Sequence, residues 1–355
     1  MNLLNHLIAR IDIDGPLSLA DYMAECLLNP KYGYYSTRDP LGASGDFITA
    51  PEISQMFGEL IGLCLAQTWL DQGCPAPFTL AELGPGRGTL MADLLRATRA
   101  VPGFHDALDL HLVEASPALR QLQSDTLKDY APNWHDGIET LPQQPLFAVA
   151  NEFFDALPVR QFLRDGIGWR ERRVGLSDGA LSFGLGPIVE QSALSHRIED
   201  TQDGDLVELC EAAAPITGAI SERIAAHGGT ALIIDYGDWR SLGDTLQALR
   251  NHAPCDPLEA SGMADLTTHV DFETLCVAAE SAGCAFSRLT PQGVFLERLG
   301  ITDRARALAA ALQGDALKNL IAAHRRLTHP EEMGNLFKVL GLYPATATPP
   351  PGLQS

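Results

Sequence analysis

Residues 80–96, LAELGPGRGTLMADLLR, end an apolar run on an acid and set glycines at 84, 86 and 88 ahead of an amphipathic segment. Glycines so spaced let the chain turn tightly off a strand and bring bare backbone against a ligand. The frame is Glu-x-Gly-x-Gly-x-Gly, opened by Glu82. The dinucleotide fingerprint Gly-x-Gly-x-x-Gly fails, because Thr89 stands where its third glycine belongs. A glycine loop alone is also an ordinary strand-to-helix turn, so the acids around it carry the argument. Glu114 closes the next strand-like run, LDLHLVEA, where a carboxylate can accept both hydroxyls of a ribose; the plain alternative is a solvated acid. Asp136, in WHDGIETLP, follows the third run and could take an adenine amino group, with Ile138 or Trp134 against the ring. A turn-stabilising Asp before Gly137 explains the same letters.

A second set of residues suits an acceptor. PLFAVANEFFDALPVRQF ends a strand-like run with Asn151, Glu152 and Asp155 beside Phe153 and Phe154. Acids with aromatics are poor chemistry for phosphate and good chemistry for a cation; the alternative reading is a helix start and a turn before Pro158. SGDFITAPEISQMFGE brings Asp46, Thr49, Glu52 and Gln55 to a loop and helix start, where free N–H groups could meet the polar end of a cofactor. DLTTHVDF gathers Asp265, His269 and Asp271. His269 could be a general base or a structural histidine. No second histidine stands at metal-ligand spacing, so no metal is expected.

These residues need elements to position them. From about residue 76, short apolar runs alternate with amphipathic segments: FTLAEL and TLMADLLRAT, LDLHLVEA and SPALRQLQSDTL, then PLFAVAN and, after an interruption, TALIIDYG. That alternation predicts an α/β fold, a mostly parallel sheet with helices on both faces. Ligands would then lie outside the carboxyl ends of the strands. The interruption, 160–186, holds two Asp-Gly turn signals between strand-like segments and reads as an inserted antiparallel β arm. The expected division is an N-terminal helical segment over 1–75, the core over 76–300, a helical tail over 301–345 and a disordered Pro/Thr-rich end over 346–355. SRLTPQGVFLERLG is expected to be extended and to close the sheet.

The chain has 355 residues, 46% of them hydrophobic, and can bury a substantial core. Its formal charge of −20, from 45 acids and 25 bases, argues against nucleic acid or an anionic membrane surface as partner and favours a cationic ligand or basic protein segment. Seven cysteines never form Cys-x-x-Cys, which fits neither a disulfide scaffold nor a zinc site. With no signal-type start and no run near the ~20 apolar residues of a membrane span, a cytoplasmic protein is expected. Apolar positions in the terminal helices could form a homodimer interface or pack on the core.

The loop form Glu-x-Gly-x-Gly-x-Gly resembles the first motif of class I S-adenosylmethionine-dependent methyltransferases, whose cofactor has an amino acid end and no pyrophosphate. GYYSTRDPLGASGDFITAPEISQMFGELIG, LAELGPGRGTLMADLLR, ANEFFDALPVRQF, IIDYG, ADLTTHVDF and MGNLFKVL together resemble the NDUFAF7/MidA family, from about Leu17 to Leu342. That resemblance implies a seven-stranded Rossmann-like core with helical additions and S-adenosyl-L-methionine as cofactor. It also implies symmetric dimethylation of a protein arginine, on a respiratory complex I subunit in mitochondrial members, and a part in assembling that complex. By position, Glu82, Gly84, Gly86 and Gly88 would hold the cofactor, and 151–155 would face the acceptor. A guanidinium stays protonated in water, so acids would have to orient and polarise it. A methyltransferase for small molecules, an assembly chaperone that keeps the fold, and a nicotinamide dehydrogenase are the alternatives.

Overall fold

The computed structural model describes residues 2–37 and 49–355; Asp46 lies outside them. The chain forms two compact units that interleave in sequence, so it does not divide at 75, 300 and 345. One unit takes Met1–Phe47, Asp155–Ala213 and Arg240–Asp271; the other takes Ile48–Phe154, Ala214–Trp239 and Phe272–Ser355.

The second unit carries the sheet that the alternating pattern predicts. Its main strands are β1 (Phe78–Leu83), β2 (Leu108–Val113), β3 (Asn133–His135), β4 (Leu146–Asn151), β5 (Gly229–Asp238), β6 (Cys284–Phe286) and β7 (Phe337–Pro344). They run in the order β3-β2-β1-β4-β5-β7-β6. β1 to β5 are parallel to their neighbours among themselves, and β7 is antiparallel to both β5 and β6. β1 and β4 are buried along their whole length, which explains apolar runs without alternation. Strand order reverses at β1, and this switch point is where an open α/β sheet leaves a crevice.

Helix α1 (Gln55–Asp71) is capped by Ser54, whose Oγ accepts from the Met56 amide at 3.2 Å. It packs closely on α2 (Thr89–Thr98), the helix that follows the glycine loop. A Cβ at Gly58 would stand 2.7 Å from Asp93 Cβ, and one at Gly62 would stand 2.9 Å from Leu94 Cα. Leu60, Ile61, Leu65 and Trp69 of α1 join Leu80, Phe147, Val149 and Ile234 of the strands in one apolar core. The close helix contact therefore fixes where α2 begins relative to the sheet.

Three expectations about the C-terminal third are corrected. QGVFLER, expected to be extended, is a helix, Gln292–Arg298. The helical tail stops after Ile301–Ala309 and Gly314–Thr328, and FKVLGLYP is strand β7, inserted between β5 and β6. Residues 346–355, expected to be disordered, pack: Leu353 is 8% exposed, Cys64 Sγ donates to Pro351 O at 3.4 Å and Arg288 N to Gln354 O at 2.7 Å.

The first unit holds helices Leu3–Asp14 and Leu19–Leu28 and an antiparallel sheet. Its strands are Leu17–Ser18, Arg160–Asp165, Gly168–Ser177, Ala180–Val189 and Leu206–Leu209. The inserted arm is thus longer than 160–186. Its second Asp-Gly pair makes the two-residue turn the sequence suggests, with φ of 53° at Asp178 and 79° at Gly179, the left-handed pair a type I′ hairpin needs. Leu7, Leu19, Tyr22 and Met23 bury the helices against Val159 and Val174.

Candidate active site

The glycine loop leaves the carboxyl end of β1 with φ of 62°, 53° and 80° at Gly84, Gly86 and Gly88. Gly88 then opens α2 as its left-handed cap. A Cβ at Gly84 would meet Phe153 Cδ2 at 2.9 Å, so this loop lies directly against the turn that follows β4. Glu82, one residue from the end of β1, is 3% exposed, and its Oε2 has no partner. Burial pushes its acid up to about 8, opposed only by the Met91 amide. The carboxyl thus lies buried at the base of the glycine loop with one oxygen unpartnered.

Glu114 follows β2 and is buried. Its Oε1 accepts from the Ser116 amide at 2.8 Å and its Oε2 from Gln123 Nε2 at 3.1 Å. Burial raises its acid despite those hydrogen bonds. Gln123 Nε2 also donates to Gly86 O at 2.8 Å, and Gln123 Oε1 accepts from Trp134 Nε1 at 2.8 Å. One side chain on α3 (Pro117–Thr126) therefore ties the glycine loop, the Glu114 carboxylate and the Trp134 ring together. Asp136, after β3, is exposed and pairs with Arg120, which also donates to Glu114 O.

The turn after β4 is unusual in its backbone. Glu152 has φ of 51°, in the left-handed region that few residues other than glycine occupy. Surrounding bonds hold it there. Its amide donates to Ile234 O at 2.9 Å, and Oε1 accepts from the Ala50 amide and from Asn151 Nδ2, each at 3.1 Å. The next two amides, Phe153 and Phe154, donate to Asp235 Oδ2 at 3.2 and 3.0 Å, while Tyr236 N donates to Oδ1 at 2.9 Å. Asp235 is fully buried on β5. Such over-determined strain gathers at functional sites. Asn151 ends β4 with Oδ1 buried and unpartnered.

Thr49 caps the short helix Ala50–Ile53 without a side-chain bond, and Glu52 accepts from Thr89 Oγ1 at 2.5 Å. This joins that helix to the start of α2. Glu82, the three glycines, Glu114, Asp136, Thr49, Glu52, Asn151 and Glu152 all belong to the second unit. Asp155 and His269 belong to the first. There Thr268 N donates to Asp155 O at 3.0 Å, His269 N to Thr245 Oγ1 at 2.8 Å, and Tyr35 OH to Asp265 Oδ1 at 2.7 Å. Among the described residues no group of three or more His, Cys, Asp or Glu is arranged to hold a metal, and no helix is long and apolar enough to cross a membrane.

Sequence reasoning missed Gln123 and Asp235. Gln123 had a signal: it falls four residues after Leu119 on the buried stripe of its helix, where an apolar residue is expected. Asp235 had a weaker one, an acid in the middle of an apolar strand.

Seven strands in the order β3-β2-β1-β4-β5-β7-β6, with β7 reversed and a glycine loop at the switch point, define a class I methyltransferase. The comparisons agree. Residues 60–290 match a family described as "Putative S-adenosyl-L-methionine-dependent methyltransferase". The protein arginine methyltransferase NDUFAF7 of Danio rerio is 38% identical, over 95% of this chain and 86% of that protein. The Homo sapiens protein of the same name is 36% identical, over 96% and 83%. A Burkholderia thailandensis protein crystallised with S-adenosyl-homocysteine superposes with a TM-score of 0.83 at 31% identity, covering 96% of this chain and 91% of that one. The chain belongs to the NDUFAF7/MidA family of S-adenosylmethionine-dependent methyltransferases.

Proposed function

We propose that the chain methylates the guanidinium of an arginine in a protein substrate. The observation that carries this reading is the turn after β4, where Glu152 is held in a strained conformation beside the glycine loop. The relatives named as protein arginine methyltransferases support it. S-adenosylmethionine, when bound, supplies a methyl group on a positively charged sulfur. Gly84, Gly86 and Gly88 would give its amino acid end room against backbone, and Glu82 would face its ammonium, which fits a buried carboxyl with one oxygen unpartnered. Glu114 would accept the ribose hydroxyls. Asp136, once turned from Arg120, would take the adenine amino group. Thr49 and Glu52 would close the amino acid side.

On the acceptor side, Asn151 and Glu152 accept N–H bonds from the guanidinium and turn one nitrogen toward the methyl carbon. Methylation of that nitrogen would require the guanidinium to give up one proton, and the Glu152 carboxylate is the group proposed to take it. Asp155 is proposed as a further acceptor contact and His269 as a general base, from their places in the motifs alone. The acceptor protein that the family resemblance implies is a respiratory complex I subunit or its bacterial equivalent.

The test is to incubate the enzyme with methyl-labelled S-adenosylmethionine and lysate from cells lacking it, then hydrolyse the labelled fractions. Label in methylarginine from a protein band is expected. Label confined to small molecules would overturn the reading.

A further inference from the structure

The arm strand Ala180–Val189 pairs on one side with Gly168–Ser177, and among the described residues no strand pairs with its other side. The register, with a two-residue turn, makes Ser177 and Ala180 a hydrogen-bonded pair. Alternation then turns the N–H and C=O groups of Leu181, Phe183 and Leu185 toward the open side. Open edges are normally blunted by charge, especially lysine, because they recruit other strands. Here ALSFGLGPIV has no charged residue, and Leu185 and Ile188 are 50% and 52% exposed. Its one proline, Pro187, lies beyond the three outward amides, where the register shifts. Ala180, Ser182 and Gly184 are small and leave one face clear, while Leu181 and Phe183 pack on the apolar core of this unit. The Arg172 guanidinium lies over the Phe183 ring at 3.7 Å, which holds the strand from behind.

Charge selects the occupant. The strand is flanked by acids at both ends, Asp178 and Glu190, and has no lysine or arginine of its own; the arginines that reach it from the neighbouring strand are already paired, Arg172 with Asp244 and Arg173 with Glu171. A second copy pairing antiparallel about the middle of the strand would set Asp178 against Glu190 of its mate, a like-charge contact at each end. An extended basic segment would meet opposite charge at both ends. We propose that this edge is a docking strand, at which an extended, basic segment of the acceptor protein adds to the sheet by main-chain hydrogen bonds to Leu181, Phe183 and Leu185. This rests on the protein-acceptor reading above and adds a place, outside the methyl-transfer residues, where that protein is recognised.

The probe is a fluorescein-labelled peptide of alternating threonine and arginine, titrated by anisotropy against the full chain. Two peptide controls carry glutamate in place of arginine, or N-methyl groups on alternate main-chain nitrogens. Saturable binding is expected for the Thr-Arg peptide, with both controls weaker by about tenfold or more. Leu185→Pro removes one outward donor and spares the inner ladder, a substitution that edge strands tolerate. It should weaken the peptide by about tenfold and leave S-adenosylmethionine affinity unchanged, which also shows that the variant folds. Leu185→Lys, with the backbone intact, should weaken it as well. Bound peptide should slow hydrogen exchange at Leu181, Phe183 and Leu185. No binding to the wild-type chain, equal binding by the N-methylated peptide, or equal binding by both variants overturns the proposal. So does a dimer in sedimentation that Leu185→Lys abolishes, since the edge would then serve a second copy. Peptide binding with no arginine methylation would defeat the acceptor reading and leave the docking strand standing. Methylation of a lysate protein with unchanged KM in Leu185→Pro would do the reverse.

Discussion

Replacing Glu82 by Gln tests whether the buried carboxyl under the glycine loop is kept neutral until the cofactor arrives. In the folded chain burial lifts this acid from its ordinary 4.5 to about 8. Between those values the native state holds a proton that the unfolded chain has lost. The stability that depends on that proton is complete below about pH 4.5 and is lost as pH rises through about 8. At about 1.4 kcal/mol per pH unit, the full span is worth up to about 5 kcal/mol. Glu82→Gln is neutral at every pH and keeps the shape, so it removes the dependence. Urea unfolding of the cofactor-free protein should give the two proteins similar stability near pH 5, within about 1 kcal/mol. Near pH 9 the variant should be the more stable by several kcal/mol, with about 5 as the ceiling. Binding adds a second readout. A cofactor ammonium against Glu82 favours the carboxylate, so at about pH 7 binding should release close to one proton. Calorimetry in buffers of different ionisation enthalpy counts that proton, and Glu82→Gln should not show it. Parallel stability curves from pH 5 to 9, or the same proton release in both proteins, would refute the reasoning.

Gly84→Ala meets both a positive φ and Phe153 at 2.9 Å, so S-adenosylmethionine affinity should fall about tenfold or more by calorimetry, because the loop must shift. Gly62→Ala drives a methyl into Leu94 backbone, and urea unfolding should show a loss of about 1–3 kcal/mol. Gln123→Leu leaves Trp134 Nε1 and one side of Glu114 unpaired. It should cost about 1–3 kcal/mol and weaken cofactor binding by roughly tenfold, as measured by the same two assays.

The residues that announce themselves in sequence are those under local constraint. Glycines at 84, 86 and 88 are needed where φ is positive, and Asp178-Gly179 is needed at a two-residue turn, so loop and arm could be read directly. The parallel strands showed through apolar runs such as FTLAEL and LFAVAN. β7 did not, although FKVLGLYP is buried at six of its eight positions. It follows two amphipathic helices, and a short apolar run cannot be told from a buried helix segment by period alone. The interleaving of the two units was illegible for a different reason: it depends on long-range pairing that no local window contains. Gln123 and Asp235 are polar groups whose value lies in partners 9 to 82 residues away, such as Glu114 and Phe153. Asp136 shows the converse, an acid well placed by order that the fold pairs with Arg120.

The most direct test of the account is Glu152→Gln, followed by S-adenosylmethionine titration and single-turnover transfer to protein arginine. The account predicts cofactor affinity within about threefold of wild type. It also predicts transfer slower by about a hundredfold or more, since the carboxylate that orients the guanidinium and takes its proton is gone. Transfer at the wild-type rate, or a loss explained wholly by failure to bind cofactor, would contradict the assignment of the β4 turn to acceptor chemistry.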